Sequence, residues 1–214
     1  MQGNAGKLFH QHPHGDCEAL ADLLSPRLHE ALEYAIELHG RDARKKTQVP
    51  VLAHLLSVCA LVQRDGGDED EAIAALLHDA LEDKPGETNP ALLAKRFGPR
   101  VLSLIQLATD TPPGYTGGPK PPWRGRKERY LEHVRQAQPS NLRVTVADKV
   151  DNARAILADY QRVGESLWSR FNAGKADQLW YYQSALAAYK EAGFCGPMLD
   201  ELDHLVGQLV RTAT

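Results

Sequence analysis

His78, Asp79, Glu82 and Asp83 fall within one short stretch, Ala74-Ala75-Leu76-Leu77-His78-Asp79-Ala80-Leu81-Glu82-Asp83. Ala, Leu and Glu favour helix, and neither Gly nor Pro interrupts before Pro85 and Gly86. At about 100° per residue, His78 is set near ~0°, Glu82 near ~40°, Asp79 near ~100° and Asp83 near ~140° around the helix axis. One imidazole and three carboxylates therefore share an arc, while Ile73, Leu77, Ala80 and Leu81 fill the other side. Carboxylates crowded beside an apolar segment repel one another and resist ionising. A bound divalent cation supplies the compensating charge. A solvated polar face with one incidental His explains this stretch equally well, so the decision rests on the remainder of the chain.

Two further segments add donors of the same kind. His54 is embedded in Val51-Leu52-Ala53-His54-Leu55-Leu56, where its imidazole must be largely buried. A lone His in such a helix is more often a hydrogen-bonded core residue than a ligand. Asp148, in Val146-Ala147-Asp148-Lys149-Val150-Asp151-Asn152, lies one helical turn before Asn152 and shares its face. Alone it reads as a salt-bridged or exposed residue. Together, His54, His78-Asp79 and Asp148 form a mixed N/O set on three helices, which converges only if those helices face one another in a bundle. Such a set suits one divalent ion, with Mn2+ or Fe2+ favoured and Zn2+ or Mg2+ compatible.

The elements that must position these residues are helical. Ser25-Pro26 reads as an N-cap and first helical residue. Leu28, Leu32, Ala35, Ile36 and His39 follow at helical spacing, with Gly40 as the stop. A basic connector, residues 41–50, precedes the apolar run Val51 to Val62, and Asp65-Gly66-Gly67-Asp68 turns the chain into the His78 helix. Further helices are expected from Ala91 to Phe97, Arg100 to Ala108, 127 to 137, Leu142 to Tyr160, Glu165 to Glu191 and Pro197 to Val210. Residues 111–125, rich in Pro and Gly, form the one long irregular segment, either functional or disordered. Val/Ile/Thr alternation is nearly absent, so no strands are expected. The fold class is all-α.

Composition narrows the function classes. At 214 residues, 43% hydrophobic and 25% charged, the chain can build one sizeable core. A formal charge of −3 gives no footing for nucleic acid or a membrane surface. No apolar run reaches the ~20 residues of a membrane span, and Met1 to Gly15 lacks the apolar core of a signal peptide. Cys17, Cys59 and Cys195 are odd in number and widely spaced, consistent with ordinary thiols in a reducing cytoplasm. Residues 1–20 are poorly patterned and expected to be flexible, and His10, His12 and His14 within them could bind adventitious metal only. The folded domain is assigned to residues 21–214.

The ordered pattern His54 … His78-Asp79 … Glu82-Asp83 … Asp148 resembles the HD-domain metal-dependent phosphohydrolases. Ala35-Ile36-Glu37-Leu38-His39, Arg44-Lys45, Arg96-Phe97-Gly98 and Ala147-Asp148-Lys149-Val150-Asp151-Asn152 extend the resemblance, over roughly residues 28–192, to the hydrolase domain of RelA/SpoT-type alarmone enzymes and their small stand-alone relatives. It implies an HD-type helical bundle with the metal site between core helices. His54, His78, Asp79 and Asp148 would hold one divalent ion that activates water and polarises a phosphoryl oxygen. Glu82 and Asp83 would handle protons. Arg44, Lys45 and Asn152 match the family's substrate contacts, and Lys127 is added as a phosphate clamp at the loop end.

The implied substrate is a small phosphorylated nucleotide, with removal of the 3′-pyrophosphate from (p)ppGpp as first candidate. The chain departs from the alarmone branch where Pro50-Val51-Leu52-Ala53-His54-Leu55 replaces a Pro-Tyr-Ile-x-His-Pro motif, so contacts to the base or ribose are in question. Hydrolysis of another nucleotide or phosphorylated metabolite is the same-fold alternative. A catalytically silent helical binding module is the alternative of a different class. Trp123 is open to two readings, stacking on a base or anchoring the Pro-rich loop. The oligomeric state is not legible.

Overall fold

Ser25 opens the described chain, residues 25–212 of a computed structural model, by capping α1 (Pro26–His39). Its hydroxyl accepts from the Leu28 N–H at 3.1 Å, a cap worth ~1 kcal/mol. The basic connector then folds on itself. The Arg44 N–H donates to Val49 O at 2.8 Å and the Val51 N–H to Asp42 O at 3.0 Å, pairing Ala43 with Pro50 in an isolated bridge. This tight loop delivers Arg44 and Lys45 to the start of α2 (Val51–Arg64). The turn after α2 needs glycine at position 67, because a Cβ there would meet Val62 Cγ1 at 2.5 Å.

α3 (Glu69–Leu77) starts with a reciprocal cap: Asp68 accepts from the Glu71 N–H at 3.1 Å, and Glu71 accepts from the Asp68 N–H at 2.9 Å. Ala72 to Leu77 are buried on every side, as expected of a helix surrounded by others. α3 packs against α1, α2, α6 (Pro99–Ala108) and α8 (Arg143–Val163). Buried Glu71 is held by Arg143 at 2.6 and 2.8 Å, which locks the start of α3 to the start of α8. The same arginine reaches Asp65 at 3.0 Å. Registering α3 on α8 in this way is what brings His78 level with Asp148.

Two helices expected to be continuous are not. The run from Glu69 to Asp83 breaks after Leu77, and α4 (Ala80–Asp83) is a separate single turn. Asp79 sits at φ −87°, ψ −7°, away from ideal helix values, and its short polar side chain favours such a turn. The stretch from Glu165 to Glu191 is also divided. Gly164 at φ 58° ends α8, a 3-10 segment spans Gly164–Arg170, and α9 begins only after Gly174, covering Lys175–Glu191.

Elsewhere α5 (Pro90–Phe97) is capped by Asn89, α7 (Trp123–Gln136) starts earlier than the sequence pattern indicated, and α10 (Pro197–Thr212) closes the bundle. The central α8 packs against α2, α3, α6 and α10, and buries Val144, Val146, Ala147, Val150 and Ala153. Each fully buried Val adds about 1.5–3 kcal/mol. Among the described residues there is no strand beyond the Ala43–Pro50 bridge, and no helix is long and apolar enough to cross a membrane. Cys59 is buried, which pushes its thiol up to about 11, and Cys195 is exposed; both are free. Cys17, His10, His12 and His14 lie outside the described residues.

Candidate metal centre and active-site cleft

α2, the α3–α4 turn and α8 bring His54, His78 and Asp148 together, with one donor atom from each within 4.8 Å of the others. His54 Nε2 is 3.2 Å and His78 Nε2 3.7 Å from Asp148 Oδ1. The rings meet edge to face with centroids 5.1 Å apart. Asp79 joins them, 3.3 Å from His78 Nε2 and 3.9 Å from His54 Nε2. Donors about 2.0–2.2 Å from a common ion lie about 3–4.4 Å apart, so these spacings suit a shared cation.

The orientation of both imidazoles fits the same conclusion. His54 Nδ1 donates to Asp151 Oδ2 at 2.6 Å, and His78 Nδ1 donates to Ala75 O at 2.8 Å. Each therefore turns Nε2 inward, the arrangement by which outer partners orient metal-binding histidines. His78 Nε2 is buried with no hydrogen-bond partner. A buried polar atom left in this way calls for a ligand.

The charge state of the bare site points the same way. Burial pushes the His78 imidazole down, but the Asp79 and Asp148 carboxylates outweigh it and raise it to about 9. His54 is likewise raised by Asp148 and Asp151 against burial. Asp148, buried beside Lys149, is held well below the usual carboxylate range. The shifts reflect the excess of negative charge around the two imidazoles, which a bound cation would offset.

Every candidate site residue except His78, which is buried behind the wall, lines one cleft of about 640 Å³. Glu82 and Asp83 line it together with His54, Asp79 and Asp148, and Arg44, Lys45, Asn152 and Lys127 also border it. Burial and the Asp110 charge raise Glu82, while burial and Asp79 raise Asp83. A carboxyl raised in this way holds a proton more readily than a free one, as a general acid or base must. Lys127 does not project freely: its ammonium is 2.6 Å from buried Asp110. Arg44 is likewise engaged, 3.3 Å from Asp151 and bonded to Asn152, which in turn donates to Asp148. Trp123 packs edge to face on Trp180 and Tyr181 at 6.2 and 5.9 Å, and also lines the cleft.

Three residues were given no role in the sequence reading. Asp151 holds His54 and accepts from Ser57; Ser57, one turn after His54 in an apolar helix, was the signal that this face carried a polar network. Lys120 contacts Glu82 at 2.9 Å and Asp83 at 3.4 Å, reaching them from the irregular loop. Asp110 is buried against Arg126 and Lys127. Asp151→Asn should keep the fold and weaken metal affinity by about 10–100-fold, measured by competition with a chelating dye. Unchanged affinity would remove Asp151 from the centre.

The sequence matches the HD domain family over residues 31–178. It is 30% identical over 141 residues to the Drosophila melanogaster guanosine-3′,5′-bis(diphosphate) 3′-pyrophosphohydrolase MESH1, covering 63% of this chain and 72% of that protein. It is 39% identical over 82 residues to the enzyme of the same activity name from Aquifex aeolicus, covering 38% of this chain but only 11% of that longer protein. A crystallised protein from Listeria monocytogenes EGD-e superposes with a TM-score of 0.63 at 31% identity, over 74% of this chain and 99% of that one. With the family match covering most of its length and the helical bundle in place, this chain belongs to the HD domain family.

Proposed function

We propose that this chain is a metal-dependent phosphohydrolase of phosphorylated nucleotides, with 3′-pyrophosphate removal from (p)ppGpp as its reaction. The observation that carries the reading is the shared cleft: the donors His54, Asp79 and Asp148, the paired acids Glu82 and Asp83, and the cations Arg44 and Lys45 all line it. The similarity to MESH1, which bears that activity in its name, supports the choice of substrate. Mn2+ is the proposed metal, on the mixed N/O donor set.

His54, His78, Asp79 and Asp148 would hold the ion, which supplies positive charge to activate water and draw electron density from the phosphoryl group. Asp151 and the Ala75 carbonyl fix the two imidazoles. One of Glu82 and Asp83 takes the proton from the attacking water, and the other protonates the departing 3′-oxygen as the phosphorus–oxygen bond breaks. Lys120 holds both acids in place. Arg44 and Lys45 receive the polyphosphate. Arg44 is tied to Asn152 and Asp151 beside the metal donors, whereas Lys45 donates to the exposed Asn172 away from them, so Lys45 is the cleaner probe of phosphate binding.

The test compares ppGpp, ppApp and a nucleoside monophosphate on wild type and Lys45→Ala. A hydrogen bond to a charged group is worth about 1.5–3 kcal/mol, and a monophosphate leaves fewer oxygens for the basic pair. kcat/KM should therefore fall more for the two polyphosphorylated substrates than for the monophosphate. With Val51 in place of the tyrosine of the alarmone motif, guanine should be preferred over adenine only weakly. Equal losses on all three would make Lys45 a surface residue and take away the polyphosphate reading.

A further inference from the structure

A second cavity, of about 610 Å³, is bordered by Leu81 and Pro85, the residues flanking the acid-bearing turn of α4. Its other walls come from residues 88–90, from α6 and α7, from residues 111–116 of the irregular loop and from Asn141. Within that loop the Tyr115 hydroxyl donates to Gly118 O at 2.7 Å, and a Cβ on Gly117 would lie 3.8 Å from Pro85 Cγ, in ordinary contact.

The chemistry of the wall is unlike that of the metal cleft. The chain is 25% charged, yet no Asp, Glu, Lys or Arg lines this cavity. His133 is the one histidine on the wall, so an ionised ligand would meet no fixed counter-charge there and would lose its hydration. Leu81, Leu107 and the rings of Pro85, Pro90, Pro112 and Tyr115 offer apolar faces, interspersed with hydroxyls and amides. Thr88 lines the wall, is only 4% exposed, and its hydroxyl has no hydrogen-bond partner. An unpaired buried hydroxyl costs about 1–3 kcal/mol. The volume falls in the range of about 300–1,000 Å³ typical of small-molecule sites.

We propose that this cavity is a second binding site, for an uncharged, ring-bearing small molecule with a hydrogen-bonding group. It is separate from the polyphosphate cleft in both position and charge, and does not depend on the hydrolytic reading. Its occupant would touch Leu81 and Pro85, on either side of Glu82 and Asp83.

The experiment titrates the full chain with N-phenyl-1-naphthylamine, a neutral dye that fluoresces in apolar sites, and in parallel with its anionic analogue, anilinonaphthalene sulfonate. The expected result is saturable binding of one neutral dye per chain, with the anion at least about tenfold weaker. Ser103→Trp and Gln106→Trp, each placing an indole in the cavity from an exposed position of α6, should each weaken the neutral dye about tenfold or more. Circular dichroism confirms that both variants fold. Absence of saturable binding, equal affinity in both Trp variants, preference for the anion, or displacement by inorganic pyrophosphate would each overturn the proposal. So would a dimer that Ser103→Trp dissociates without any dye binding, which would give this face to a second copy of the chain.

Discussion

Replacing His78 with Ala is expected to remove the metal and the hydrolysis together while leaving the helical content intact. His78 Nε2 is one of the converging donors and is buried without a hydrogen-bond partner. Its loss leaves Asp79 and Asp148 with the His54 imidazole alone between them. The transition-state charge stabilisation a metal supplies is several kcal/mol, so turnover should fall by ~10³-fold or more. The fold should survive because α3 is held by its Asp68–Glu71 cap, by Arg143 and by the apolar residues Ala72 to Leu77, none of which uses the imidazole. Asp79→Ala, at a turn position that buries little, should behave in the same way. Full metal occupancy in both variants, measured by plasma mass spectrometry, would refute the assignment.

How much of this was legible in the sequence depends on whether the information was local. The helices were, because α1, α2 and α8 carry apolar residues at helical spacing, and Ser25, Pro26 and Gly40 mark the ends of α1. The donor types were too, since a His inside an apolar run or beside an Asp stands out on its own. The break between Leu77 and Ala80 was hidden, because Ala, Leu and Glu surround it and only backbone angles at Asp79 reveal it. The break at Gly164 was legible, but the division of 165–191 between Arg170 and Lys175 was not, although Asn172 and Gly174 fall in it. Asp151 and Lys120 act across the packing of α8 on α2 and of the loop on α4, and no spacing within one segment encodes such a contact. Lys127 lines the cleft, and its tie to Asp110 comes from the same long-range packing.

Glu82→Gln and Asp83→Asn should separate proton handling from metal binding. Both residues line the cleft, and neither belongs to the His54, His78 and Asp148 donor group. Both carboxyls are raised by burial and by neighbouring carboxylates, Asp110 for Glu82 and Asp79 for Asp83. The amides keep the shape and the contact to Lys120 but cannot exchange a proton. Metal content should therefore stay at the wild-type level while turnover falls by ~10²-fold or more. Loss of metal in either variant would move that residue into the donor set, and unchanged turnover in both would take them out of the mechanism.

The most direct measurement is the product pattern of Mn2+-loaded wild-type protein acting on ppGpp, resolved by anion-exchange chromatography. The account predicts GDP and inorganic pyrophosphate in equal amounts, abolished by a chelator and restored by added Mn2+. Release of orthophosphate, cleavage at the 5′ side, or no turnover on ppGpp while another nucleotide in the same panel is hydrolysed would contradict it.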